Sequence, residues 1–141
     1  MTALDIRTDT TATARRAAPD VVLLAFRVVV GFLYLLHAVM GFGAFGGVDG
    51  HGAGLPVGSA YWWVSVLQVA GAVLVAVGLC TRIAGFLLSG LMAGAYFLMH
   101  APAGWNPLLN LGEPAALYSW IFLLLCAFGG GRYSLDTLRR R

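Results

Sequence analysis

The chain has 141 residues, of which 60% are hydrophobic and 11% are charged, with a net charge of +3. Soluble domains carry about 25% charged residues, so this sequence lacks the polar side chains that would cover a water-soluble fold. Its mean hydropathy of +0.82 excludes an ordinary soluble domain and indicates an integral membrane protein. A nucleic-acid partner is not expected.

The N-terminal residues 1–19 are polar and rich in threonine, which predicts a flexible cytoplasmic tail. Residues 20–131 form the predicted transmembrane domain, because a spanning helix needs about 20 mostly apolar residues, with roughly 17 to 25 tolerated. Four segments meet that length: 21–42, 60–80, 83–100 and 114–130. Residues 132–141 are predicted to form a basic cytoplasmic tail.

The connections between these segments predict the topology. The stretch "GLCTRIAG" between the second and third segments is too short for anything but a tight antiparallel hairpin. The stretch 43–59 is rich in glycine and should contain turns rather than a helix. The predicted fold is therefore all-α, an integral membrane four-helix up-and-down bundle.

Charge placement predicts the orientation of the bundle. All nine basic residues are arginines, and they lie before the first segment, inside it, between the second and third segments, and after the fourth. The connections 43–59 and 101–112 contain no arginine. Because positive charge on short loops marks the cytoplasmic side, both termini and Arg82 are predicted to be cytoplasmic, with Asp49 and Trp105 outside.

Helical spacing indicates which face of each segment points into the bundle. Each predicted inner stripe combines small residues, which allow close helix packing, with polar groups that need partners in lipid. The stripe of the first segment contains Arg27, Gly31, Tyr34, Ala38 and Gly41, with His37 at its edge, and that of the second contains Tyr61, Gln68, Gly71 and Val75. The stripe of the third segment contains Ser89, Ala93, Tyr96 and His100, beside a Gly90-x-x-x-Gly94 packing surface. The stripe of the fourth contains Glu113, Ala116 and Trp120.

The polar groups of these stripes converge in the outer half of the membrane, which predicts a ligand pocket there. Its candidate lining is His37, Gln68, Tyr96, His100, Glu113 and Trp120. Glu113 is of special interest because a charged residue at a helix start either favours the helix dipole or turns inward to pair with His37 or His100. The alternative for the whole set is that these polar groups only fix the packing of the helices. No catalytic residue and no metal ligand set is identified.

Three further residues are interpreted as structural or ionic. Arg27 lies about two turns inside the first segment, where its side chain either snorkels to lipid phosphates or contacts a ligand. Arg82 and Asp136 are predicted to form an ion pair beside the turn between the second and third segments. Cys80 and Cys126 lie towards the same end and are interpreted as packing residues.

The chain resembles the DoxX family of small bacterial membrane proteins along nearly all of residues 20–138. The resemblance rests on "FRVVVGFLYLLHAVMG", "GLPV", "QVAGAVLVAVGLCTRIAG", "NLGEPAALY" and "FGGGRYSLD". The positions that match are Arg27, His37, Arg82, Asn110, Gly112, Glu113, Ser134 and Asp136.

The resemblance implies a plasma-membrane protein connected with redox metabolism. The favoured function is a membrane subunit or accessory of a quinone-linked system for thiol or thiosulfate oxidation or for oxidative stress, in contact with the lipid bilayer and a protein partner. The alternative is a non-catalytic membrane scaffold or assembly factor. Whether the chain is an enzyme stays open, since it has no self-contained catalytic motif and no flavin or dinucleotide motif. A quinone is the favoured cofactor, haem between His37 and His100 is disfavoured, and a homo-oligomer is left open.

Overall fold

Four apolar helices follow one another along the chain and pack as an all-α bundle, which confirms the predicted fold class. The computed structural model describes residues 3–139, with side chains from residue 18 onward. The main helices are α1 (Ala3–Val39), α2 (Ala60–Val77), α3 (Thr81–Ala95) and α4 (Glu113–Phe128), and a short α5 (Leu135–Leu138) follows. Helix α3 continues through a π turn at Tyr96–His100 and a 3-10 turn at Ala101–Ala103.

Three stretches of helix are long and apolar enough to cross a membrane, namely Ala18–Phe42, Ala60–Val77 and Thr81–Ala103. The fourth predicted span is shorter, because α4 has 16 residues and therefore a length of about 24 Å. The backbone of residues 3–19, within the predicted cytoplasmic tail, is helical and belongs to α1. The polar composition of residues 1–19 indicated exposure to water, which does not by itself make a backbone irregular.

The ends of α2 and α3 explain the tight hairpin between them. Ser59 begins α2 by accepting a hydrogen bond from the backbone N–H of Trp62 at 3.2 Å. Gly78 ends α2 in the left-handed region, at φ +74°, which glycine adopts without steric cost. Cys80, also left-handed at φ +50°, immediately precedes α3, so the chain reverses within three residues as predicted.

Neighbouring helices in the sequence are neighbours in space: α1 packs on α2, α2 on α3, and α3 on α4. Glycine permits two of these close approaches. A Cβ at Gly31 would lie 2.8 Å from Cβ of Ala76, and a Cβ at Gly85 would lie 2.8 Å from the carbonyl oxygen of Phe122. The buried core between the helices contains Tyr34, Val75, Leu88, Phe122 and Leu125.

The predicted inner stripes have different outcomes. The α1 stripe is confirmed, since all five of its residues are buried. On α2, Gln68, Gly71 and Val75 are buried, but Tyr61 is exposed.

On α3, Ser89 is buried, whereas Gly90 and Gly94 face open space within the described part of the chain. On α4 the stripe is wrong by about one residue, because Ala115, Phe122 and Leu125 are buried instead. Glu113 lies in the first turn of α4, where a carboxylate favours the helix dipole, and Trp120 lies mid-helix on the exposed face, so neither residue marked the inner face.

Candidate functional site

The polar residues of the bundle separate towards its two ends. We call the end that carries the connections 43–59 and 101–112 the loop end. We call the opposite end, with the α2–α3 hairpin and the segment after α4, the turn end. The predicted pocket belongs to the loop end, and the structure distributes its six candidate residues over three different environments.

An aromatic seam joins α1 to α4. It consists of Tyr34 and His37 on α1 and of Tyr118 and Phe122 on α4. The ring of Tyr34 lies 5.0 Å from that of Tyr118 and 4.7 Å from that of Phe122, between centroids. The imidazole of His37 lies 6.0 Å from the ring of Tyr34 and 6.4 Å from that of Tyr118. Close backbone packing runs from α1 through α2 and α3 to α4. The side chains of the seam therefore form the contact between the first and the last helix of that series.

The hydroxyl of Tyr34 is the unusual group of the seam. Tyr34 is fully buried, and its hydroxyl has no hydrogen-bond partner among the described residues. The amide of the buried Gln68 is the side chain placed to hydrogen-bond this hydroxyl, although the two groups do not meet a strict hydrogen-bond distance and angle. Leaving a buried hydroxyl unpaired costs about 1–3 kcal/mol, so an unpaired group in a native protein calls for a reason.

His37 occupies the outer edge of the seam. Its side chain is exposed at the surface of the bundle, while the neighbouring Tyr34 is buried. An imidazole can donate or accept a hydrogen bond and can take up a proton near neutral pH. The seam therefore presents an exchangeable polar group at the surface of the bundle, with a phenol and an amide further inside.

Tyr96 and His100 belong to a different cluster, which folds the connection 101–112. The hydroxyl of Tyr96 donates to the carbonyl of Trp105 at 2.7 Å, and Nδ1 of His100 lies 3.0 Å from the carbonyl oxygen of Asn110. The buried side chain of Asn110 donates to the carbonyl of Gly104 at 2.6 Å and accepts from the N–H of Gly112 at 2.8 Å. The resemblance had marked Asn110 as a matching position, and the structure shows that it organises this loop.

Glu113 and Trp120 are not pocket residues in this structure, which corrects the prediction. Both side chains are exposed. No described hydrogen bond joins the Glu113 carboxylate to His37 or His100, so the predicted inward pairing is wrong. Glu113 instead begins α4, with Pro114 in the first turn, which is the helix-start alternative.

Arg27 does not snorkel to lipid, because its side chain is only 1% exposed. Its guanidinium donates to the carbonyls of Ala76 at 3.3 Å, of Tyr133 at 2.8 Å and of Gly130. A Cβ at Gly78 would lie 2.7 Å from Cζ of Arg27, so glycine makes room for the guanidinium. Arg27 thus ties α1 to the end of α2 and to the segment after α4.

Asp136 caps α3 rather than pairing with Arg82, so that predicted ion pair is corrected. Its carboxylate accepts from the backbone N–H groups of Cys80 at 2.7 Å and Thr81 at 2.9 Å, and from the Thr81 hydroxyl at 2.9 Å. The guanidinium of Arg82 donates to the carbonyl of Cys126 at 3.2 Å. No capping side chain precedes α3 in the sequence, and Asp136 supplies the cap from a segment that follows α4.

A cavity of about 430 Å³ opens at the turn end, on the opposite side of the bundle from the predicted pocket. Arg82 and Asp136 both line it. The remaining lining residues are Cys80, Ile83, Phe128, Gly129, Gly130, Gly131, Ser134 and Thr137.

With the helices and clusters established, sequence comparison assigns the family. The family model described as DoxX matches residues 22–101, which include Arg27, Tyr34, His37 and Gln68. This protein belongs to the DoxX family. An uncharacterized protein of Haemophilus influenzae is 40% identical over 121 residues, covering 81% of this chain and 88% of the relative. No solved structure matches this DoxX-family protein.

Proposed function

We propose that this DoxX-family protein is a membrane subunit or accessory of a quinone-linked redox system in a bacterial plasma membrane. In this proposal the turn end and both termini face the cytoplasm, as the arginine distribution favours. The observation that supports the proposal is the fully buried hydroxyl of Tyr34, which lacks a well-formed hydrogen bond among the described residues, within an aromatic seam whose outer edge, His37, is exposed.

The residues of the seam carry the kinds of group that would bind a quinone ring. Tyr34, His37 and Gln68 each carry a hydrogen-bond donor that could bind a carbonyl oxygen. Tyr118 and Phe122 offer aromatic faces, which favour offset or edge contacts with another ring. A ligand with a long apolar tail could enter from the bilayer at His37 and leave its tail in lipid. When bound, a quinone would supply a carrier of two electrons and two protons, and His37 could exchange protons beside it.

A protein partner would have to deliver or accept the electrons, because the sequence has no flavin or dinucleotide motif. The family resemblance suggests thiol, thiosulfate or oxidative-stress enzymes as that partner. The Haemophilus relative adds support for the family but not for a reaction, since it is itself uncharacterized.

The test is equilibrium binding of a short-chain quinone to the purified protein in lipid nanodiscs. His37→Phe keeps an aromatic ring and removes both ring nitrogens, so we expect affinity to fall by about tenfold, the equivalent of one hydrogen bond of roughly 1.4 kcal/mol. Trp120→Phe is the matched control, because Trp120 is exposed outside the seam, and its affinity should be unchanged. The absence of saturable binding by the wild-type protein would contradict the proposal.

The second candidate is a non-catalytic scaffold or assembly factor. The observation in its favour is that the charged groups at the turn end serve internal contacts: the Arg27 guanidinium binds carbonyls of α2 and of the segment after α4. The seam would then be packing alone. Solvent extraction of protein purified from its native membrane separates the two, because a scaffold should carry no quinone in stoichiometric amount.

A further inference from the structure

The connection 101–112 exposes an unusually apolar surface. Four of its large side chains point away from the protein: Trp105 is 85% exposed, Leu108 66%, Leu109 83% and Leu111 78%. The whole stretch 83–112 contains no Asp, Glu, Lys or Arg. A loop that projects into water would leave these side chains solvated, which is costly for large apolar groups.

Several backbone N–H and carbonyl groups of this loop are hydrogen-bonded to one another. The N–H groups of Leu109 and Asn110 donate to the carbonyl of Asn106, and those of Gly112 and Glu113 donate to the carbonyl of Pro107. The side chain of Asn110 bridges Gly104 and Gly112. Irregular backbone is tolerated at membrane depth only where its hydrogen bonds are satisfied within the protein, and this loop largely meets that condition.

The helix that follows the loop is too short to cross a bilayer alone. Helix α4 has 16 residues, so it measures about 24 Å against a hydrocarbon core of about 30 Å. The loop precedes α4 directly, and its apolar side chains continue the lipid-facing surface of the α3 span, where Phe97 and Leu98 are also exposed.

We infer that the connection 101–112 is a preformed membrane wedge that inserts its four exposed apolar side chains into the bilayer at the loop end and completes the fourth span. The partner of this surface is lipid. The hydrogen bond from Tyr96 to the carbonyl of Trp105 and the contact of His100 with Asn110 anchor the wedge to the end of α3. The surface is separate from the aromatic seam and does not depend on a bound quinone.

The other connection at the loop end supplies a matched control. Val57, in the connection 43–59, is also 85% exposed. That connection carries the charged Asp49, whose carboxylate accepts from the N–H groups of His51 and Ala53, so we expect it to lie in water. Two equally exposed apolar positions on one membrane face should therefore meet different solvents.

The experiment compares a tryptophan at each position in phosphatidylcholine vesicles, with the other tryptophans replaced by phenylalanine. Trp105 should be quenched by lipids brominated near the headgroup and protected from aqueous iodide, whereas Val57→Trp should show the reverse. Iodide quenching of Trp105 equal to that at position 57 would place the wedge in water and overturn the inference. Protection from both quenchers would indicate a second protein copy as the cover, and would overturn it as well.

A second measurement avoids the tryptophan replacements. Leu109→Cys and Val57→Cys are compared in intact membranes with a membrane-impermeant maleimide, in protein whose native cysteines are replaced by alanine. Thiols react as thiolates, and burial in lipid disfavours the charged form. We expect Leu109→Cys to react at least about tenfold more slowly than Val57→Cys. Equal rates would overturn the inference.

Discussion

Tyr34→Phe tests whether the buried hydroxyl destabilises the protein without ligand and contributes to quinone binding. Without ligand, the variant removes a fully buried hydroxyl that has no well-formed hydrogen bond within the described part of the chain, and it leaves the ring contacts with Tyr118 and Phe122 in place. An unsatisfied buried group costs about 1–3 kcal/mol. Allowing for the small gap left behind, we expect the variant to be more stable by about 1 kcal/mol, which raises Tm by roughly 2–4 °C for a chain of this size.

Tyr96→Phe is the control of opposite sign. The hydroxyl of Tyr96 does donate a hydrogen bond, to the carbonyl of Trp105 at 2.7 Å, and its loss should destabilise the protein by about 0.5–1.5 kcal/mol. Thermal unfolding in detergent, followed by circular dichroism, measures both variants. Quinone affinity should fall by about three- to tenfold in Tyr34→Phe, as for one neutral hydrogen bond. A Tyr34→Phe protein that is less stable than wild type would refute the reasoning, because the hydroxyl would then be paired in the native protein.

Three further predictions follow from single contacts. Arg27→Met should cost about 2–5 kcal/mol, because it leaves the carbonyls of Ala76, Gly130 and Tyr133 without their donor. The exposed Arg82→Met should cost less than about 1 kcal/mol. SDS titration compares the two variants, and equal losses would be inconsistent with the buried guanidinium. Gly85→Ala should destabilise by about 1–3 kcal/mol through contact with α4, while Gly90→Ala, which faces open space, should not. Backbone N–H groups of neighbouring residues hold the pKa of Asp49 below its usual range. This carboxylate therefore stabilises its loop at pH values above the unfolded pKa of about 3.9, and the stabilisation is lost as the pH falls through the lower folded pKa. An NMR titration midpoint at or above about 3.9 would contradict this.

The inner face of α1 could be predicted from the sequence because small and polar residues repeat there at helical spacing over many turns. Arg27, Gly31 and Tyr34 all lie on the buried stripe. The same reasoning failed on α4, which offers few polar residues to define its phase. Glu113 lies in the first turn of that helix, where the helix dipole rather than burial accounts for a carboxylate. Trp120 lies mid-helix on the exposed face.

The contacts at the turn end could not be predicted, because they join residues far apart in the chain. Arg27 reaches the carbonyl of Gly130, 103 residues away, and Asp136 caps a helix that begins 55 residues earlier. Their acceptors and donors are backbone groups, which leave no trace in side-chain composition. The unpaired hydroxyl of Tyr34 was equally hidden, since a tyrosine among small residues gives no sign of whether its hydroxyl finds a partner.

In the function we propose, the seam between α1 and α4 binds a quinone from the bilayer. The most direct measurement is photo-crosslinking with an azido-quinone in nanodiscs, followed by tryptic digestion and mass spectrometry. Cleavage at arginine separates residues 28–82, which contain Tyr34 and His37, from residues 83–132, which contain Tyr118 and Phe122. We expect label on His37 and Tyr118, and we expect unmodified quinone to displace it. Label confined to residues 129–137 at the turn end, or label that excess quinone does not displace, would contradict it.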